Sequence, residues 1–365
     1  MTDSLCSPAL ASLAPYVPGE QPAGTELIKL NTNENPFPPS PAVAEALHAA
    51  AEAVSSLRLY PDPESQQLRQ SIAGYHAVAC DNVFVGNGSD EVLAHAFNAF
   101  FRQSKPLLFP DISYGFYAVY CGLYDIAYQN IPLDQAFCLP LDDFAATENG
   151  GIIFPNPNAP TGIGTSLDSI AELLEKNRDS VVVVDEAYID FSADSDSTGV
   201  ISAIELTQRY RNLLVVRTLS KSRALAGLRL GYAIGDAALI EALRRVKNCF
   251  NSYPIDRLAE VAAIASFGDE GYFRDSCQRV IAARQSLSDS LLGLGFDCLP
   301  SSANFIMATH GALSAADLAQ KLRQQGIIVR YFDRERLDCY LRITVGTAEQ
   351  NQCLIAALQQ LLPSP

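Results

Sequence analysis

The sequence predicts an α/β fold, with a large domain on a mostly parallel sheet covered by helices and a smaller α+β domain after it. Three observations carry this. Unbroken apolar runs recur through the middle of the chain, helix-compatible segments separate most of them, and the character changes after about residue 250. Apolar strands without polar alternation are buried on both faces and need helices on each side.

The runs are, in order, NVFVGNG (82–88), KPLLFPD (105–111), GGIIFPNP (150–157), SVVVVDEAY (180–188), NLLVVRTLSK (212–221) and LGYAIG (230–235). Segments 89–102 and 167–177 between them read as helices. A long helical stretch over 257–294 then precedes FDCLPSSANFIMAT, GIIVRYF and CYLRITVGT, which read as strands of the smaller unit. The expected division is an N-terminal arm (1–40), a large domain (41–255) and a small C-terminal domain (256–365). The arm, rich in Pro and Asn, has little helix or strand signal and is expected to pack on the small domain rather than fold alone.

The chain of 365 residues is long enough for a sizeable core and two domains. Lys and Arg number 26 against 41 Asp and Glu, a net charge of -15. A field of that sign repels nucleic acid and anionic membranes, so neither is expected as a partner, although a local basic pocket for a small anion remains open. No apolar run approaches the roughly 20 residues of a membrane helix, and the N-terminus lacks the apolar core of a secretory signal. The nine cysteines are scattered without a CxxC pair and the four histidines are dispersed, so no metal site is expected. Free thiols in a large chain fit a reducing cytosol, and the expected location is cytoplasmic.

In a parallel sheet, ligands bind outside the carboxyl ends of the strands. Gly88-Ser89-Asp90, Asn156-Pro157-Asn158, Asp185 and Lys221 each follow a strand run. Lys221 stands in TLSKSRALAGLRLGY (218–232), among small apolar residues with basic groups as its nearest charges. Desolvation and nearby cations favour a neutral amine there, which suits a nucleophile toward a carbonyl. Four valines deliver Asp185 to a strand end, where a buried carboxylate is costly unless it meets a cation. Alone, this acid reads rather as a helix cap or the partner of an arginine, and GNGSDE alone reads as a turn and cap. Together they say more. Ser89 and Asp90 at a helix start offer backbone N–H groups to a phosphate, and Ser220 and Arg229 add a hydroxyl and a cation. A ligand carrying an aldehyde, a basic ring nitrogen and a phosphate satisfies the whole set, and pyridoxal 5'-phosphate is that ligand. Lys221 would bind the aldehyde, Asp185 would keep the ring nitrogen protonated, and Tyr188 would hydrogen-bond the ring's phenolic oxygen.

LNTNENP (30–36), LYPDP (59–63), GNGSDE (86–91), PNPNAPTG (155–162), VDEAYIDF (184–191), TLSKSRALAGLRLGY and LRITVGT (341–347) occur in that order. On these motifs the chain resembles the fold-type I, aspartate-aminotransferase-like enzymes, and within them the histidinol-phosphate aminotransferases. The resemblance implies a fold-type I pyridoxal-phosphate transferase in which Lys221 is the Schiff-base lysine and proton shuttle, Asp185 the partner of the ring nitrogen and Tyr188 the contact of the ring oxygen. It implies that Ser89, Asp90, Ser220 and Arg229 hold the phosphate and that Tyr114 stacks on the ring. Tyr60 would enter the neighbouring subunit's site, which makes the enzyme a homodimer. Arg342 would grip the substrate's α-carboxylate, while Arg330 and Tyr16 would serve its phosphate end, with Asn33 a further substrate contact.

Two positions depart from the family pattern. Ala159 stands where an Asn commonly hydrogen-bonds the ring oxygen, and Asn158, or failing it Asn156, is expected to supply the missing amide. Ser222-Arg223 stands where a small and an aromatic residue are common, and Arg223 is expected to face solvent. The implied reaction is exchange of an amino group between histidinol phosphate and 2-oxoglutarate, giving imidazole acetol phosphate and glutamate in histidine biosynthesis. Threonine-phosphate decarboxylation and aromatic amino-acid transamination share much of this motif set. A sensing domain of a transcription regulator would share the lysine, but the acidic charge disfavours it.

Overall fold

The computed structural model describes residues 5–7, 10, 13–21, 27–192 and 200–362 of the chain. The chain opens with β1 (Ile28–Leu30), α1 (Pro41–Glu52), α2 (Gln66–His76), β2 (Val83–Gly86) and α3 (Gly88–Phe100). Then come β3 (Leu107–Pro110), α4 (Phe116–Tyr124), β4 (Tyr128–Ile131), α5 (Leu141–Ala146), β5 (Gly151–Pro155) and α6 (Leu167–Lys176). β6 (Val182–Asp185), β7 (Leu213–Thr218), β8 (Gly231–Gly235), α7 (Ala237–Phe250), α8 (Arg257–Gly268) and α9 (Glu270–Gly293) follow. The last part holds β9 (Asp297–Cys298), β10 (Phe305–Thr309), α10 (Ala315–Gln324), β11 (Ile327–Tyr331), β12 (Tyr340–Thr344) and α11 (Ala348–Leu361).

Seven strands form one sheet in the order β2-β8-β7-β6-β5-β3-β4. All run parallel except β8, which is antiparallel to both β2 and β7. The link from β7 to β8 carries only a short 3-10 turn, Ala226–Leu228, so the strand returns beside its predecessor instead of crossing over. Successive apolar residues divide between two cores. Val182 and Val184 face one, packed under α1, α2, α5, α6 and α8, while Val183 faces the other, under α3, α4 and α7. Each such side chain contributes about 1.5–3 kcal/mol by leaving water. That two-sided burial is the physical content of the unbroken valine run. β4 closes one edge with Tyr128, Gln129 and Asn130 exposed, a polar finish that suits an unpaired edge.

The second sheet has the order β1-β11-β12-β10-β9 and packs on α9, α10 and α11. Here the structure differs from expectation in two places. The N-terminal arm supplies a strand, β1, paired parallel to β11 through Ile28, Lys29 and Leu30. Three residues are too few to display a strand period in sequence. The stretch 257–294 is two helices, because Asp269 takes a non-helical conformation and caps α9 by accepting from the Tyr272 N–H. Between the sheets, Ala159, Tyr188 and Phe191 pack against Cys277 and Val280 of α9 and against Ala303, Phe305 and Val345. The strand ends of the large sheet therefore open beside this seam.

Candidate active site

Asp185 is the last residue of β6, level with Pro155 on β5 and Val216 on β7. Its Oδ2 accepts a 3.0 Å hydrogen bond from the Tyr117 hydroxyl of α4, while Oδ1 is buried with no partner. Burial pushes its carboxyl up to about 7, with the Tyr117 hydrogen bond opposing the rise and the charge of Asp90 adding to it. Burial and the neighbouring Asp185 likewise hold the Tyr117 phenol well above the ordinary tyrosine range. Sequence reasoning missed Tyr117; its register with the α4 apolar face reads only as core.

Lys221 follows β7 in a tight turn closed by two bonds, from Leu219 N–H to the Leu230 carbonyl and from Leu225 N–H to the Leu219 carbonyl, both 3.0 Å. Its Nζ donates to the Thr32 carbonyl at 3.1 Å and lies 5.8 Å from the centre of the Tyr188 ring. Asn35 Nδ2 donates to the carbonyls of Lys221 at 3.0 Å and Ser222 at 3.1 Å. The segment 31–35 thus reaches both ends of the lysine. Glu34 in the same segment is pushed up by burial, yet hydrogen bonds from Lys29 and Thr32 and the charges of Lys29 and Lys221 hold it below the ordinary glutamate value. To the basic groups that neighbour Lys221 in sequence, folding thus adds the charge of Glu34, brought in from far along the chain. From below, Ser222 donates to Asp190, which also pairs with Arg217.

Ser89 and Asp90 form the first turn of α3 after Gly88, whose φ of 80° is the left-handed conformation glycine adopts freely. A Cβ on Gly88 would lie 2.6 Å from Arg229 Nη2, and one on Gly231 would lie 2.3 Å from the Ser89 nitrogen. Both glycines are needed for this close approach. Arg229 Nη2 donates to Asp90 Oδ2 at 3.0 Å, and the Tyr114 hydroxyl donates to Asp90 Oδ1 at 2.9 Å. The Asp90 carboxylate thus braces a cation and a ring, leaving the helix-start N–H groups to face the opening.

Ser89, Asp90, Tyr114, Asp185, Tyr188, Ser220, Lys221 and Arg229 line one cavity together with Pro155, Ala159, Ala187 and Thr218. Its volume of about 130 Å³ is roughly ten times what one ordered water needs. Eight residues singled out from the sequence therefore converge on one space.

Other expected residues lie elsewhere. Asn158 is buried with its Nδ2 committed to the Ile112 carbonyl at 3.1 Å and to Thr161 Oγ1 at 3.0 Å. It therefore has no amide hydrogen to offer the cavity, and the expectation that it replaces the family's Asn is corrected. Asn156 holds its own loop, donating to the Thr165 carbonyl and accepting from the Thr165 N–H. Tyr60 is 77% exposed and stacks on Tyr253, outside this chain's cavity. Asn33 is buried and donates to the Tyr188 hydroxyl. Arg330 and Arg342 sit opposite each other on β11 and β12. Among the described residues neither has an acidic partner within salt-bridge distance; Arg342 Nη2 donates to the Asn31 carbonyl at 2.8 Å and its buried Nε has no partner. Burial lowers the pKa of Arg342, and the charge of Arg330 adds to this, against nearby Tyr188 and Tyr16. Tyr16 stacks on Phe116 with ring centres 4.6 Å apart and meets Tyr114 at 6.0 Å.

Arg223 does not face solvent. It is buried, with its guanidinium 4.0 Å from the Phe273 ring centre, 4.1 Å from Phe267 and 4.9 Å from Tyr75. Its Nη1 donates to the Ser266 carbonyl at 2.6 Å. The aromatic cage and that carbonyl make burial of the cation tolerable. The nine cysteines are all unpaired, no cluster among the described residues could hold a metal, and none of their helices is long and apolar enough to cross a membrane.

Comparison with known proteins adds three findings. The profile of the aminotransferase class I and II family matches residues 25–358. The chain is 57% identical over 351 residues to "Histidinol-phosphate aminotransferase 1" of Hydrogenovibrio crunogenus, covering 96% of each chain. It is 56% identical over 355 residues to the protein of the same description from Pseudomonas aeruginosa, covering 97% of this chain and 98% of that one. Among solved structures, a histidinol-phosphate aminotransferase from Sinorhizobium meliloti in complex with pyridoxal-5'-phosphate superposes with a TM-score of 0.85 over 99% of each chain, at 22% identity. One from Clostridium acetobutylicum gives 0.83 at 23% identity, over 92% of this chain and 99% of that one. At that identity these structures carry the fold alone, which is the fold-type I arrangement of two sheets.

Proposed function

The chain belongs to the class I and II aminotransferases, and on that premise we propose that it exchanges an amino group between histidinol phosphate and 2-oxoglutarate, giving imidazole acetol phosphate and glutamate in histidine biosynthesis, with pyridoxal 5'-phosphate as cofactor. The substrate rests on the descriptions of relatives that are 56–57% identical over nearly the whole chain. The observation that carries the chemistry is the meeting of Lys221 and Asp185 at one cavity whose far wall is the N-terminus of α3.

The residues present fit the cofactor. The unpartnered Asp185 Oδ1 matches a ring N–H, and the glycine-lined start of α3 beside Arg229 matches a phosphate. When bound, the cofactor supplies an aldehyde for the amino nitrogen and a protonated ring that draws electrons from the neighbouring carbon. Lys221 would hold the cofactor at its aldehyde and, freed when the substrate's amine takes its place there, would accept at Nζ the proton that leaves the substrate's α-carbon. Asp185 would hold the proton on the ring nitrogen. The Tyr188 hydroxyl would donate to the ring oxygen, and Tyr114 would pack against the ring. The backbone N–H groups of Ser89 and Asp90, with Ser220 and Arg229, would hold the phosphate.

Arg342 and Arg330, two cations side by side without an acidic partner among the described residues, suit a site that must bind glutamate's carboxylates and the phosphate of the second substrate in turn, with Tyr16 beside them. The enzyme works as a homodimer in this reading, supported by Tyr60, Leu57, Leu59, Phe250 and Tyr253, all exposed in the single chain. A cytoplasmic location rests on the nine unpaired cysteines. The division at residue 40 is kept as a proposed boundary, while the packing of α8 into the large sheet's core supports placing the second boundary after Gly268 instead of at 255.

The test follows the cofactor's visible absorbance. Glutamate alone should convert it in a half-reaction, and imidazole acetol phosphate should restore it, with ping-pong kinetics overall. No spectral change with glutamate, or release of carbon dioxide from threonine phosphate without an amino acceptor, would overturn the proposed reaction.

A further inference from the structure

We infer that Asn33 is a positioning residue for Tyr188: its side-chain amide orients the tyrosine hydroxyl so that the phenolic hydrogen is offered to the cofactor's ring oxygen, in a chain whose Ala159 has no amide to give. The inference rests on the cofactor reading above and deepens it.

Asn33 is 1% exposed and held in the left-handed region at a φ of 57°, which Asn tolerates better than most residues. Its main chain is fixed at both polar groups. The N–H donates to Thr344 Oγ1 at 3.0 Å, and the carbonyl accepts from Asn304 Nδ2 at 3.0 Å. The side-chain orientation follows from hydrogen counting. Thr344 Oγ1 already accepts one hydrogen bond, so its own hydrogen needs an acceptor, and Asn33 Oδ1 takes it at 3.1 Å. That leaves Asn33 Nδ2 facing the Tyr188 hydroxyl oxygen at 3.0 Å.

A phenolic oxygen that accepts from Asn33 is left to donate its hydrogen elsewhere. The Tyr188 hydroxyl has no other hydrogen-bond partner among the described residues, and Tyr188 lines the cavity. Donation onto the oxygen also polarises the O–H and strengthens it as a donor. The neighbouring wall offers no substitute. Ala159 presents a methyl group, and the Asn158 amide hydrogens are taken by Ile112 and Thr161. An amide absent from one side of the ring oxygen is thus compensated by an amide acting from behind the tyrosine.

The readout is the pH midpoint of the bound cofactor's visible absorbance, measured in the wild-type enzyme, Tyr188→Phe, Asn33→Gly, Thr344→Val and the double variant Tyr188→Phe with Asn33→Gly. A donor on the ring oxygen withdraws negative charge from it, so losing the donor raises the midpoint. Glycine keeps the left-handed backbone while deleting the amide. Asn33→Gly is expected to raise the midpoint by about one pH unit, the size of a hydrogen bond to a charged group. Tyr188→Phe should shift it the same way, and the double variant no further than Tyr188→Phe alone. Thr344→Val, which frees the amide without removing it, should give a smaller shift in the same direction. A wild-type midpoint in Asn33→Gly, or an Asn33→Gly shift that persists in full in the Tyr188→Phe background, would overturn the inference while leaving the function intact. Should Asn33→Gly fail to fold, an unshifted Thr344→Val decides against it. A wild-type protein with no cofactor absorbance would overturn the function itself, and this inference with it.

Discussion

The Tyr117 hydroxyl holds one oxygen of the Asp185 carboxylate at 3.0 Å and leaves the other bare inside the protein. A buried acid with one free oxygen is stable as a neutral group, or as an anion that has met a cation. Its folded value of about 7 lies above the ordinary 3.8. Its stabilising contribution is therefore full below the ordinary value and is lost as pH rises through about 7. Cofactor-free Asp185→Asn, which cannot ionise, should be more stable to unfolding than the cofactor-free wild type at about pH 8, by as much as about 4 kcal/mol, with the gap closing toward pH 4. Tyr117→Phe removes the larger of the two hydrogen bonds that oppose the rise, the other coming from the Ala187 backbone, so the Asp185 carbon resonance in the cofactor-free protein should titrate at higher pH than in wild type.

The turn that carries Lys221 is clamped by Asn35 on its carbonyl and by Ser222 through Asp190. Its amine is the group asked to take the α-proton, a role worth about 10²–10⁴ in rate. Lys221→Ala is expected to lose about 10⁴-fold or more in the glutamate half-reaction, measured by stopped-flow absorbance. Asn35→Ala should keep the amine and lose less, about tenfold, with the deficit in the rate constant rather than in cofactor affinity.

Arg342 and Arg330 are register partners across β12 and β11, and among the described residues neither has an acidic partner within salt-bridge distance. Removing a charge-assisted hydrogen bond costs about 1.5–3 kcal/mol, so Arg342→Ala should raise the KM for glutamate about 10- to 100-fold. Arg330→Ala should fall more heavily on histidinol phosphate than on glutamate. Steady-state kinetics with each substrate varied in turn would separate the two.

Arg223 lies inside a ring of Tyr75, Phe267 and Phe273. Deleting it leaves a void and an unpaired Ser266 carbonyl, so Arg223→Ala should lower stability by about 3 kcal/mol in denaturant titrations. Arg223→Lys should recover little of it, because an ammonium neither stacks nor reaches as a planar fork.

Strand ends were legible in sequence because they are local. A run such as VVVVD states both the strand and the residue that leaves it, and Asp185 and Lys221 follow from two such runs. The segment 31–35 was not legible in this way. Its contacts with the site join residues far apart in sequence, as from Thr32 to Lys221 and from Asn33 to Tyr188. Nothing in LNTNENP by itself says which carbonyl meets which amine. Arg223 failed for the same reason, since its cage comes from α2, α8 and α9. The break at Asp269 was different: Gly268 followed by a capping acid is a local stop signal, and the apolar pattern on either side masked it.

Treatment of the purified protein with borohydride, followed by digestion and mass measurement of the peptide containing Lys221, tests the central chemistry most directly. One reduced cofactor on Lys221 is the predicted result, absent from Lys221→Ala. An unmodified Lys221 peptide from protein incubated with pyridoxal 5'-phosphate would contradict the account.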